Sequence, residues 1–343
     1  MIYFNNNEIS EVYVGNEKMA SGWTDGSFIF PTSEPPTPPT PIVDDFLQFT
    51  AINGDATISM SGNASVNVAY SFDRYTWRNL ETPYSHSTVT VPNGRTVYIS
   101  GNNTNGFSTS TSSYKKFNIT GTVEANGNIQ SLLYGRTFDN LTIPSNYCFY
   151  NLFFNCTGLT TPPQLPATTL TKYCYSNMFR ACTNLTYAPT LPATIMEEDC
   201  YYSMFFGCRS LTASPELPSI NLANGCYAFM FDSCTSLTSA PQLPATTLKS
   251  NCYGYMFEDC TSLTTAPVLP AETLSDYCYQ WMFNRCTNLN YIKMMATDIS
   301  EIYCLDAWTR NVASNGTFVK NINATWDVRG DSGVPNDWTI QYE

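Results

Sequence analysis

Charge is scarce in this chain. Of 343 residues only 13 % are Asp, Glu, Lys or Arg, and the formal balance is −12. Nucleic-acid affinity rests on Lys and Arg neutralising phosphates, so 16 such residues against 28 acids argue against nucleic acid as a partner. The same deficit argues against an anionic membrane surface. Histidine occurs once, at His86, and there is no Cys-x-x-Cys. The usual zinc ligand sets are therefore missing, and neither a metal nor another cofactor is expected. No stretch reaches the roughly 18 consecutive apolar residues of a membrane helix. The start, Met1-Ile2-Tyr3-Phe4-Asn5-Asn6-Asn7-Glu8, lacks the basic opening and apolar run of a secretory signal. No terminal lipidation motif is visible.

Signatures of catalysis are absent too. There is no phosphate-cradling Gly-rich loop and no nucleophile elbow. His86 lies in a polar stretch, Ser85-His86-Ser87, and reads as an exposed side chain. Asp44, Asp45 and Asp73 do not have the spacing of a calcium loop. Glu197-Glu198-Asp199 precedes Cys200 and reads as negative charge at a helix start, not an acid–base pair. No catalytic residue is assigned, and the chain is expected not to be an enzyme.

What the chain has in abundance is repetition. Its 13 cysteines fall into two series with a step of 26. One runs Cys148, Cys174, Cys200, Cys226, Cys252, Cys278 and Cys304; the other runs Cys156, Cys182, Cys208, Cys234, Cys260 and Cys286. Phe153, Phe179, Phe205, Phe231, Phe257 and Phe283 keep the same step, as do the leucines from Leu159 to Leu289 and the prolines from Pro166 to Pro270. A fixed period in this range marks stacked units that bury a shared core. Cys174, Tyr175, Met178, Phe179 and Cys182 lie at offsets 0, 1, 4, 5 and 8. That spacing predicts one face of a helix beginning near each cysteine of the first series. A turn and a short strand follow at Leu185-Thr186, cut short by Pro189 and Pro192, which cannot donate a backbone hydrogen bond. Parallel strands about 4.8 Å apart would give six units an inner face roughly 25–30 Å long. The cysteines read as free, buried ladder residues, because identical ladder positions point the same way rather than at each other.

The expected fold class is an α/β solenoid of the leucine-rich-repeat kind with a 26-residue period, preceded by a small all-β sandwich domain. Residues 1–30 carry short alternating strands, Ile2 to Asn6 and Glu8 to Gly15, read as a hairpin. Residues 31–44 hold a cluster of prolines and read as an extended polyproline linker. Residues 45–121 alternate apolar and polar, as in Val66-Asn67-Val68-Ala69-Tyr70, and predict the sandwich, which would cap the first repeat. Residues 122–147 form a transition, 148–303 the six repeats and 304–343 a C-terminal cap.

Surface residues give the binding candidates. The position after the buried leucine is Thr160, Thr186, Thr212, Thr238, Thr264 and Asn290, with Tyr187 and Tyr291 beside it in two units. Such a ladder could bind a glycan or a protein edge. Equally, Thr simply suits a solvated strand. At the other end, Ile2, Phe4, Ile9, Val12, Val14 and Phe28 are the apolar residues of a hairpin too small to fold alone, and they are read as an attachment element.

The unit seen at Met178-Phe179 through Leu185, Pro189, Leu191 and Pro192 resembles the BspA-type bacterial leucine-rich repeat over residues 141–303. The tail, at Gly316-Thr317-Phe318-Val319-Lys320 and Val334-Pro335-Asn336-Asp337-Trp338-Thr339, is similar to the closing segments of such arrays. The start is similar to short N-terminal segments of structural proteins of tailed bacteriophages. Together these resemble virion proteins of phages infecting gut bacteria, including the crAss-like group. The resemblance implies a head fibre, tail fibre or decoration protein, assembled in the host cytoplasm. It would be anchored to other virion proteins through residues 1–30, form a homo-oligomer, and bind a host-surface glycan or protein. The alternative is a BspA-type adhesin on a bacterial cell surface, which would need an export signal.

Overall fold

The computed structural model describes residues 46–135 and 141–343 in full, and before them only the backbone of four short strands. The chain divides into two units, Met1–Ile42 and Val43–Glu343. In the first, β1 (Val12–Val14) pairs antiparallel with β2 (Glu17–Ala20), and β3 (Trp23–Thr24) with β4 (Ser27–Phe28). Val12 and Val14 thus lie in a hairpin, but their partner strand follows them in sequence. Ile2, Phe4, Ile9 and the proline cluster lie outside the described residues. Phe28 pairs with Trp23 across the second hairpin.

In the second unit, β5 (Leu47–Gly62) buries Leu47, Phe49 and Ala51, then Ala56, Ile58 and Met60. The buried set changes from odd to even positions across Asn53 and Gly54, both at positive φ. A side-chain period of two allows such a change of face only where the strand is broken by a bulge. Before that bend β5 pairs with β10 (Thr96–Gly101), after it with β9 (Val89–Val91), and along most of its length with β11 (Lys115–Asn126). The sheet continues from β10 through β6 (Val68–Ser71) and β7 (Arg78–Thr82) to β8 (Ser85–His86). On the far side of β11 it takes in β12 (Leu159–Thr161), in parallel.

This corrects the expected sandwich: the strands form one continuous eight-stranded mixed sheet rather than two. The bend in β5 lets that sheet turn back on itself. Glu81 on β7 meets Lys115 on β11 at 2.8 Å, both buried, although three strands lie between them in the sheet order.

The expected helices are also corrected. Among the described residues the only α-helix is α1 (Ser131–Tyr134). From residue 173 to 182 the amides alternate. Those of Cys174, Ser176, Met178, Arg180 and Cys182 bond three residues back, as in consecutive tight turns. Those of Tyr173, Tyr175, Asn177, Phe179 and Ala181 bond forward into the next unit, for instance Tyr175 N–H to Cys200 C=O at 3.0 Å. Tyr173, Asn177 and Ala181, four residues apart, have φ of 58°, 56° and 60°. Each segment is a run of four-residue turns, laced sideways to its neighbour as a strand would be. The same alternation recurs at residues 147–156, 199–208, 225–234, 251–260 and 277–286.

Packing explains why turns replace helices. The phenylalanine column from Phe153 to Phe283 repeats at 5.4–5.8 Å, with rings within 11° of parallel. The adjoining column Phe149, Tyr175, Tyr201, Tyr227, Tyr253 and Tyr279 repeats at 5.8–6.0 Å. Packed helices need about 8–10 Å between axes. A turn track one chain thick accepts the spacing that stacked rings prefer, and it stays close to the strand spacing on the opposite side.

On that opposite side regular strands are few. Between β12 and β13 (Tyr291–Met294) the units are joined by isolated parallel bridges such as Ala213↔Ser239, as the recurrent prolines dictate. Both ends of the stack are covered. Phe117 of β11 stacks on Phe153 at 5.4 Å and takes the place of a preceding unit. Trp308 stacks on Tyr279, is fully buried, and donates its indole N–H to Gly333 C=O. β13 continues into a three-stranded parallel sheet with β14 (Thr317–Lys320) and β15 (Thr339–Tyr342). The described chain is thus mostly strand, sheet and turn, with almost no helix.

Candidate binding surface

The threonines of the ladder recur from unit to unit, and three of their hydroxyls are engaged. Thr160 Oγ1 donates to Val123 C=O, Thr186 Oγ1 to Thr160 C=O, and Thr238 Oγ1 to Thr212 C=O, at 3.0–3.1 Å. The amides of Thr186, Thr238 and Asn290 bond to the carbonyls of Thr160, Thr212 and Thr264. These residues therefore tie one unit to the next. Their hydroxyl oxygens can still accept, but in three of the units the donor is used internally. Tyr187 is half exposed, whereas Tyr291 is partly buried in the bridge to Thr265. The two tyrosines lie four units apart and do not come together.

The cysteines are part of the same lacing. All 13 are free and buried. In the second series, Cys182, Cys208, Cys234, Cys260 and Cys286 each donate the thiol to a phenylalanine carbonyl of the preceding unit, at 2.9–3.1 Å. Cys156 does so to Phe117 at 3.2 Å. A thiol has about the right size to fill the column while also reaching that carbonyl. Burial pushes the Cys174 and Cys226 thiols up to about 12 and holds Cys200 and Cys208 well above the ordinary range. The thiolate is the reactive form. We expect native protein to react with almost no thiol reagent at neutral pH, and denatured protein to release all 13 thiols without reductant. A count that stays low after denaturation would contradict the free-thiol ladder.

The turn face carries a cluster of buried and half-buried carboxylates. Asp232 is buried and takes a hydrogen bond from Ser233 Oγ at 2.7 Å. Burial pushes its carboxyl up to about 7, with Glu258 in the next unit adding to the rise. Glu258 accepts from Asn284 Nδ2 at 2.8 Å and pairs with Arg285, which also clasps Asp259. Beside this column Phe229, Tyr255 and Trp281 stack in register, at 4.3 and 5.6 Å. All three sit at positive φ, a conformation that costs a non-glycine residue about 1–2 kcal/mol. Sequence reasoning missed this surface because a helix reading gives those positions no special role.

Other expectations find different partners. His86 is largely exposed, and its Nδ1 lies 2.6 Å from Glu81, whose second carboxylate oxygen has no partner among the described residues. Asp73 accepts from Ser71 Oγ and from the amides of Tyr75 and Thr76, which hold its carboxyl well below the usual range. It is a turn residue. Glu197, Glu198 and Asp199 do not cap a helix, because none begins at Cys200. Glu198 pairs with Lys172 of the preceding unit, and Asp199 is itself a positive-φ turn residue.

No family model, no curated protein and no solved structure matches the chain. Among the described residues no three His, Cys, Asp or Glu side chains are grouped to hold a metal ion, and no helix is long and apolar enough to cross a membrane.

Proposed function

We propose that the chain is a non-enzymatic accessory protein of a bacteriophage particle, a head fibre, tail fibre or decoration protein. Its second unit is a turn-and-strand solenoid of the leucine-rich-repeat type, and residues 1–30 are its attachment element. The observation that carries this reading is the lacing of the repeats from Tyr147 to Arg310. Amides, thiols and threonine hydroxyls all bond from unit to unit, and β11 and Trp308 close the two ends. Such a body is stiff, and many polar groups of its repeats serve to hold one unit to the next. That suits a spacer or display body better than an enzyme. The two short hairpins described in the first unit support the attachment role, because a two-stranded hairpin is marginal in water and gains stability from a partner.

The test is copurification. Full-length chain should be found by mass spectrometry in purified particles. A chain lacking residues 1–30 should stay folded and soluble and be absent from them. Retention of the truncated chain would move the attachment element elsewhere. Absence of the full-length chain from particles would favour the adhesin.

A further inference from the structure

A cavity of about 250 Å³ opens on the curled sheet, away from the repeats. Its floor follows from strand register. Ser100 on β10 lies opposite Ala69 on β6, and Ala69 lies opposite Asn79 on β7. Residues directly opposite across neighbouring strands project from the same face. A methyl group between a hydroxyl and a carboxamide leaves a hollow with polar sides. Asn67 and Asn102 line its end and Trp77 its wall.

We propose that this hollow binds one ring of a neutral saccharide. Four features of the lining support it. First, none of the described side chains that line the cavity is ionised, so they offer a charged ligand no counter-charge. Second, the carboxamides of Asn67, Asn79 and Asn102 make no hydrogen bond to other described residues, nor does Ser100 Oγ. A carboxamide both donates and accepts, and so does every sugar hydroxyl, so neighbouring hydroxyls can be matched in pairs. Third, the indole of Trp77 is held by its N–H donating to Arg74 C=O at 3.1 Å and by Phe46 at 5.0 Å. Its N–H is thus spent within the fold, and hydrogen bonding at the wall falls to the carboxamides. Fourth, the end of the hollow is fixed before any ligand arrives. Buried Asn103 accepts from Asn67 N–H at 2.9 Å and donates to Asn67 C=O and Leu132 C=O at 3.0 and 2.7 Å. A site ordered in advance loses less on binding. The volume lies a little below the roughly 300–1,000 Å³ of sites for drug-sized ligands, which fits a single ring with its neighbours in solvent.

The site belongs to the sheet and does not depend on where the chain is anchored. The experiment presents full-length protein to an array of neutral and acidic oligosaccharides, then measures the best ligand by calorimetry. Neutral saccharides should bind in preference to sialylated or sulfated ones. Ala69→Leu, which fills the floor, and Asn79→Ala, which removes one exposed carboxamide with no role in the fold, should each weaken binding at least tenfold. Thr238→Ala, on the ladder, should leave it unchanged. Thermal unfolding of each variant separates lost binding from lost structure, and Asn79→Ala carries the test if Ala69→Leu does not fold. Absence of any neutral ligand, preference for acidic ones, or binding indifferent to Asn79→Ala would overturn the proposal. So would loss of binding in Thr238→Ala alone, which would place the site on the repeats.

Discussion

Replacing Phe205 by alanine should destabilise the second unit by about 3–5 kcal/mol, the range for deleting a buried aromatic side chain. Phe205 is fully buried between Phe179 at 5.6 Å and Phe231 at 5.7 Å. Two stacked contacts vanish with it, and the cavity lies between two units that are laced by Phe179 N–H to Met204 C=O and Phe205 N–H to Met230 C=O, both at 2.9 Å. Those backbone bonds limit how far the units can close on the gap, so little of the loss can be recovered by relaxation. The expected result is a large drop in the urea midpoint. Tyr187→Ala, at a half-exposed position in the neighbouring unit, should change the unfolding free energy by less than about 0.5 kcal/mol. A Phe205→Ala variant within about 1 kcal/mol of the parent would mean that the column is not the core of the stack.

The repeat was legible because its columns are chemically strict. Cysteine, phenylalanine and leucine each recur at a step of 26, and every one of those residues from Cys148 to Leu289 that keeps the step inward is buried. The helix was misread for a definite reason. Offsets 0, 1, 4, 5 and 8 fall within roughly 140° of arc at 100° per residue, so nine residues fit an amphipathic helix. They fit a four-residue turn repeat equally well, and the segment ends before the two periods drift apart.

A second signal in the sequence could have separated the two. The positive-φ positions are filled by Asn151, Asn155, Asn177, Asp199, Gly207, Gly225, Asn251, Asp259 and Asn311, among others. Asn, Asp and Gly tolerate the left-handed region and are poor helix formers. Their spacing of four is what a helix would avoid. Tyr173, Phe229, Tyr255 and Trp281 occupy the same positions and hide the pattern, because their rings stack on neighbours along the column.

The sheet was legible as strands but not as a topology. Alternation marks Val89-Thr90-Val91 and Val97 to Ile99 plainly. Nothing in it reveals that β5 changes its buried face at Asn53-Gly54, and that bend decides between two sheets and one. The cavity beside Ala69 was hidden for the same reason: it depends on three strands in register.

Deleting residues 201–226 should leave a folded, cooperative protein shorter by one unit. The cut joins Cys200 directly to Tyr227, which occupies in its own unit the place Tyr201 occupies beside Cys200. Tyr175 would then stack on Tyr227, Phe179 on Phe231, and the thiol of Cys234 would reach Phe179 C=O in place of Cys208. Every lacing bond finds an equivalent acceptor, and neither β11 nor Trp308 at the ends is touched. In an array held by nearest-neighbour contacts, such a loss removes one unit and one interface and leaves the rest. Deleting residues 201–213 instead should abolish cooperative folding. That cut follows Cys200 with Ser214, so prolines and exposed residues would enter the aromatic columns while the next Cys-Tyr pair arrives thirteen residues out of step. Thermal unfolding followed by near-ultraviolet dichroism, which senses the packed aromatics, distinguishes the outcomes. A sharp transition for the 26-residue deletion and none for the 13-residue deletion is the expected pair. If both variants unfolded alike, the units would not be interchangeable, and the solenoid reading would fail with them.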